Sequence, residues 1–268
     1  MTTSGQVLLL DDVPGERANF ERAFGDDLTL ATSIDALNDQ LRRGLAWDLA
    51  FVDFNLSSAT STGLTALLRL RQERPSTQIV TYSQFTESGR TLYAAAARHW
   101  FNAAALLDKT KNDPATLVRY RDAIVAGSNP TPVPWQRRLQ WAPLIDQLLY
   151  DASWVRIWRA LRDAAGDMAL VAEMLHIEAS SLRGFKDRAT EAAIAFNEKF
   201  HDIPHPGSTR NKKGILAAFA AEHRHFLSAP DLSTVMSPGT RRAAAPRTIE
   251  TLPTRPLPSR PSGPRSAR

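Results

Sequence analysis

Cysteine is absent from the 268 residues. That excludes disulfides, thiol nucleophiles and cysteine-ligated zinc or iron–sulfur centres, and it fits a reducing cytoplasm. No apolar run approaches the roughly 18 residues a membrane helix needs, so no segment is expected to span a bilayer. The opening MTTSGQVLLLDD has no basic region and reaches only four apolar residues before two aspartates, so no secretory signal is expected. A single sign of charge is also lacking over most of the chain. Residues 1–126 carry 13 Lys/Arg against 15 Asp/Glu, and residues 127–228 carry 13 against 11. The last 40 residues hold seven arginines and two acids, so the formal charge of +5 belongs to the tail. A basic balance of this kind says little about the folded part.

With 43% hydrophobic and 23% charged residues the chain is globular in composition, and its length suits one large domain or two ordinary ones. Short apolar runs alternate with helical patterns through the first 126 residues. Val7–Leu10, Leu28–Ala31, Leu49–Phe54, Gln78–Tyr82 and Ala104–Leu107 read as strands, with a helix after each. Strands apolar on both faces predict a five-stranded parallel sheet covered by helices on both sides, a doubly wound α/β fold. Residues 127–134 (GSNPTPVP) read as a linker and residues 135–228 as wholly helical. Trp154, Ile157, Trp158 and Leu161 recur at helical spacing and predict core packing. From Ala229 onward the chain holds eight of its 17 prolines among Arg, Ser and Thr, so residues 229–268 are expected to be a disordered tail.

In open α/β sheets, groups that do chemistry gather at the carboxyl ends of strands. Here those ends carry Asp11 and Asp12, Asp53, Ser83 and Lys109. Carboxylates brought together from adjacent strands repel one another unless a hard cation sits among them, and oxygen ligands suit Mg²⁺. Asp53 closes the most apolar strand, where a phosphoryl-accepting carboxylate would stand. Lys109 offers a fixed positive charge, and Ser83 a hydroxyl for a phosphoryl oxygen.

In the order acidic pair, central aspartate, hydroxyl, lysine, residues 5–126 resemble the receiver domain of bacterial two-component response regulators. The resemblance implies a flavodoxin-like fold, phosphorylation of Asp53, and Mg²⁺ held by Asp11, Asp12, Asp53 and the backbone carbonyl of Asn55. It further implies that Ser83 and Lys109 respond to the phosphoryl group, which a sensor histidine kinase supplies, and that the domain turns over no substrate of its own. The stretch from Ser83 to Lys109 is longer than the family's usual one. Leu106 stands where the family often has an aromatic residue, and Thr110 where a proline commonly follows the lysine.

The helical half contains one local pattern with functional content, Met168–Arg188 (MALVAEMLHIEASSLRGFKDR). Small Ala172, a turn over His176–Ala179 capped by Ser180 or Ser181, and apolar Leu175, Ile177, Leu182 and Phe185 lay out a helix-turn-helix. The second helix would present Ser181, Arg183, Gly184, Lys186, Asp187 and Thr190 outward, with Arg183 reading bases and Lys186 or Arg188 meeting phosphates. The segment resembles the DNA-binding domain of the LuxR/NarL class, with Ile215–Leu227 as its closing helix. That resemblance implies double-stranded DNA as partner and a homodimer as the binding form. The competing expectation is an adaptor whose helical half binds protein. The five histidines at 176, 201, 205, 223 and 225 lack a one-helix metal signature and are expected to be structural or solvated.

Overall fold

A computed structural model describes residues 6–56, 60–84, 90–111, 113–205, 207 and 210–236. Its first half follows the alternation in the sequence: β1 (Val7–Leu10), α1 (Pro14–Phe24), β2 (Leu28–Ala31), α2 (Ile34–Arg42), β3 (Leu49–Val52), α3 (Gly63–Glu73), β4 (Gln78–Ser83), α4 (Arg90–Phe101), β5 (Ala105–Asp108) and α5 (Pro114–Val125). The five strands form one parallel sheet in the order β2-β1-β3-β4-β5, the flavodoxin-like doubly wound arrangement. Register aligns Leu10 with Ala31 and Val52, and Val52 with Thr81. The carboxyl ends of β1, β3 and β4 therefore open on one edge.

Burial follows from composition. β1 and β3 are buried at every position, since helices cover both faces of the sheet. One face packs Phe20 against Phe51 and Tyr82 in edge-to-face contacts, with ring centroids 4.9 and 5.2 Å apart. Side chains start several helices where orphan backbone N–H groups need acceptors: Ser33 for α2, Thr62 for α3 and Asp113 for α5. Gly63, at the head of α3, is fixed by close approach, because a Cβ there would lie 2.1 Å from the carbonyl oxygen of Asp53.

The second half is all helical: α6 (Val133–Leu139), α7 (Ile145–Leu148), α8 (Ala152–Asp163), α9 (Met168–Leu175), α10 (Arg183–Phe200), α11 (Lys212–Glu222), α12 (Arg224–Leu227) and α13 (Leu232–Val235). Trp154, Trp158 and Leu161 are buried as their spacing predicts. The expected closing helix at Ile215–Leu227 is two helices broken at His223, and α11 already begins at Lys212. No helix among the described residues is long and apolar enough to cross a membrane.

The linker and the tail both need correction. Residues 127–134 are not a free tether: the hydroxyl of buried Thr131 accepts from the backbone N–H of Leu106, and α6 starts at Val133. Residues 229–236 are not tail. Ala229, Leu232, Val235 and Met236 are buried, while Arg159 donates to the carbonyls of Leu227 and Ala229 at 2.8 and 2.6 Å. The remaining expected tail, residues 237–268, lies outside the described residues.

This C-terminal segment ends on the receiver-like half. One Asp231 carboxylate oxygen accepts from the N–H groups of Thr62 and Thr65, at 2.7 and 3.2 Å, and both threonine hydroxyls also donate to the carboxylate. A residue 169 positions away thus helps cap α3, where the helix dipole favours negative charge. Replacing Asp231 by Ala leaves these donors short of an acceptor. The expected cost is about 2 kcal/mol of unfolding free energy, read as a lower urea midpoint for the full chain.

Candidate phosphoryl-acceptor site and helix-turn-helix surface

Asp11, Asp12 and Asp53 arrive at one edge because β1 and β3 are neighbours in register. A ligand oxygen from each lies within 4.8 Å of the others. Asp11 is fully buried and its Oδ1 accepts from the N–H of Val13 at 2.9 Å. Lys109, just past β5, places its Nζ 2.6 Å from Asp11 Oδ2 and 2.7 Å from Asp53 Oδ2. Asp53 Oδ1 accepts from the Ser83 hydroxyl and from the N–H of Phe54, each at 2.7 Å. Both oxygens of the central carboxylate are thereby oriented.

Burial is the largest influence on Asp11 and raises its pKa, against the opposing pull of Lys109. For Lys109 burial disfavours the charge, but attraction to Asp53 and hydrogen bonds to Asp11 and Asp53 outweigh it and hold its pKa above the ordinary value. The lysine is therefore charged at neutral pH, and two buried carboxylates share it.

Beside this cluster a cavity of about 180 Å³ opens, lined by Asp12, Asp53, Asn55, Gln84, Arg90 and Lys109 among others. Its donors are hard oxygens from Asp12, Asp53 and Asn55, a set that fits Mg²⁺ better than a soft ion. Arg90 carries no strand-end signal in the sequence, yet it is buried with its guanidinium 5.3 Å from the centre of the Phe54 ring. The six predicted residues Asp11, Asp12, Asp53, Asn55, Ser83 and Lys109 thus meet at one edge of the sheet.

The predicted helix-turn-helix also forms, with different details. α9 ends at His176 in a left-handed conformation (φ 54°), and a 3-10 turn over Ala179–Leu182 leads into α10. Ala172, Leu182 and Phe185 are buried as expected. Ile177 is 40% exposed and does not point to the core, because the left-handed turn swings it outward. Neither Ser180 nor Ser181 caps α10, which continues directly from the 3-10 turn. Thr190 faces inward and its hydroxyl donates to the Lys186 carbonyl at 2.6 Å.

Of the expected DNA contacts, Ser181, Arg183 and Arg188 are exposed and Lys186 is half-buried. The Arg188 guanidinium lies 5.2 Å from the Trp154 ring centre and 5.6 Å from that of Tyr150, so it is braced by stacking. Asp187, on the same surface, pairs with Lys212 at 2.8 Å.

Solved structures give likenesses at low identity. NtrX from Brucella abortus aligns at 17% identity and TM-score 0.40 over 47% of this chain and 27% of its own. The Thermotoga maritima response regulator DrrB, an OmpR/PhoB homolog, aligns at 15% identity and TM-score 0.37 over 46% of this chain and 52% of its own. The Salmonella typhimurium RcsB response regulator aligns at 17% identity and TM-score 0.43 over 69% of this chain and 91% of its own. The chain therefore spans about a quarter of NtrX and half of DrrB. No protein-family profile and no curated protein matches the chain.

Two outcomes follow from this geometry. Lys109→Met leaves Asp11 and Asp53 facing each other without a counter-charge, at a cost of about 3 kcal/mol at pH 7. The Asp11 carboxyl, already raised by burial, loses the opposing pull of Lys109 and stands further above its unfolded value, so folding binds a proton and stability returns as pH falls toward the carboxylate range. Urea unfolding of the variant at pH 7 and pH 5 measures that sign. His176→Gly relieves a side chain held at positive φ and is expected to stabilise the fold by about 0.5–1 kcal/mol, seen as a higher urea midpoint.

Proposed function

We propose that the chain is a response regulator that accepts a phosphoryl group on Asp53 and acts through its helix-turn-helix on double-stranded DNA. The observation that carries this reading is the shared environment of Asp53: Lys109 on one oxygen, Ser83 on the other, and Asp11 and Asp12 within ligand distance. Asp53 is the nucleophile, and a sensor histidine kinase is the donor the chemistry calls for. Asp12, Asp53 and the Asn55 carbonyl would hold Mg²⁺, with Asp11 beside them. When bound, the ion supplies neutralisation of charge on the phosphoryl oxygens.

Converting the Asp53 carboxylate to an acyl phosphate removes the anion that Ser83 and Lys109 now serve. Both then turn to phosphoryl oxygens, which biases α4 and whatever packs on it between two arrangements. On the output side Arg183 reads a base edge, Ser181 and Lys186 contact the backbone, and braced Arg188 supports them. A homodimer engages two half-sites.

One observation favours a second reading, an adaptor whose helical half binds protein. Leu170, Met174 and Ile177 are 43%, 42% and 40% exposed along the outer side of α9 and its turn. Acidic Glu178, Asp187 and Glu191 also dilute the positive surface of α10.

The test uses the full chain with acetyl phosphate and Mg²⁺, and a random pool of duplex DNA. Phosphorylation is expected in the wild type and absent in Asp53→Asn. Selected DNA is expected to bind with a strong salt dependence, and Arg183→Ala and Lys186→Ala each weaken binding about tenfold or more. Absence of any selected sequence, with phosphorylation intact, overturns the DNA reading in favour of the adaptor. Label persisting in Asp53→Asn overturns the assignment of the acceptor.

A further inference from the structure

A second group of ligating side chains lies far from Asp53 in sequence, at the junction of the two halves. His201 follows the end of α10, Glu222 ends α11, and His223 is the break between α11 and α12. One ligand atom from each lies within 4.8 Å of the others. His201 Nε2 is 3.7 Å from Glu222 Oε1, and it also stands 3.3 Å from the hydroxyl of Thr91 on α4.

His223 makes the cluster more than a coincidence of polar residues. Its side chain is 0% exposed and neither ring nitrogen has a hydrogen-bond partner. Around it stand the rings of Phe219, Phe196 and His201, at centroid distances of 4.3, 5.7 and 5.7 Å. A neutral imidazole carries one donor and one acceptor, and buried polar groups are rarely left without partners. An apolar ring would fill the same space with nothing left unsatisfied. The imidazole needs something else to meet it, and the nearest candidates for sharing a common partner are His201 and Glu222.

We propose that His201, Glu222 and His223 form a binding site for a divalent ion of the zinc class. Two imidazole nitrogens and one carboxylate oxygen are the donor set such ions prefer, and they differ from the all-oxygen set around Asp53. Metal–ligand bonds of about 2.0–2.2 Å put neighbouring ligand atoms of a tetrahedron roughly 3.4 Å apart. The His201–Glu222 separation of 3.7 Å already approaches that spacing. Neither ring nitrogen of His223 is engaged by a hydrogen bond, so a lone pair is available to ligate. Three protein ligands leave a fourth position for water or for the Thr91 hydroxyl. Because Thr91 belongs to α4 of the receiver-like half, the ion would sit on the contact between the halves and take the His201 nitrogen that now faces that hydroxyl.

The experiment uses the metal-free full chain in excess Mg²⁺, which keeps the Asp53 region supplied with its own ion. Zn²⁺ is added, unbound metal is dialysed away, and metal per chain is measured. Co²⁺ is titrated in parallel and followed by its visible absorption, which is intense only in tetrahedral coordination. One Zn²⁺ per chain and an intense Co²⁺ band are expected, with affinity falling at least tenfold in His201→Gln and Glu222→Gln. Both substitutions are at partly exposed positions, so they keep the test valid if His223→Gln fails to fold. His205→Gln and His225→Gln are expected to bind as the wild type does. Zn²⁺ retained unchanged in His201→Gln and Glu222→Gln, or no Zn²⁺ bound by the wild type, overturns the site.

Discussion

Everything at the carboxylate edge of the sheet depends on one buried ammonium. Asp11 and Asp53 are brought side by side by the pairing of β1 with β3, at depths where an isolated carboxylate would pick up a proton. Lys109 reaches both at 2.6 and 2.7 Å and sets a counter-charge between them. A carboxylate in such a cluster needs a counter-charge, an orientation and a path to solvent. The lysine supplies the first, Ser83 and the Phe54 N–H the second, and the cavity beside Asp12 the third. The surrounding strands are ordinary apolar runs; the charge arrangement at their ends gives them a purpose.

The two halves meet through contacts that begin next to that edge. Phe54 follows Asp53 in the chain, and its ring packs on Tyr93 of α4 at 4.6 Å and stacks on Phe226 of α12 at 6.0 Å. Asp146, from α7, holds the far end of α4 through His99 and Trp100 at 2.7 and 2.8 Å. Asp231 holds the start of α3. Three separate points of the helical half thus bear on the two helices that follow β3 and β4, the strands that lead into Asp53 and end in Ser83. Contacts individually worth about 1–3 kcal/mol hold the two halves together at these points.

The sequence made some of this legible and hid the rest for physical reasons. The sheet could be read because each strand is a short run apolar on both faces, and the site because a doubly wound topology sends successive strand ends to one edge. The helix-turn-helix was legible from Ala172, Leu182 and Phe185, whose spacing reports burial. Ile177 misled because an apolar residue after a turn is ambiguous until the backbone sign at His176 is known. Asp231 sits among Pro and Ser in a stretch that reads as tail, and its role exists only through partners 166 and 169 positions away. Arg90 and the trio of His201, Glu222 and His223 were hidden in the same way. Their chemistry is a property of how α4, α10 and α11 pack, and no local period encodes it.

Leu106 shows how the two halves are joined beneath α4. Leu106 on β5 packs with Ala94 of α4 and with Trp135 of α6. The N–H of Leu106 is meanwhile bonded to Thr131, so backbone and side chain of this position both touch the segment that opens the helical half. Trp135 is buried among Leu106, Ala94 and Leu139, so close packing leaves its ring little room to turn. A rearrangement of Ser83 and Lys109 that shifts α4 must therefore either carry Trp135 along or release it, and both outcomes act on the helical half directly.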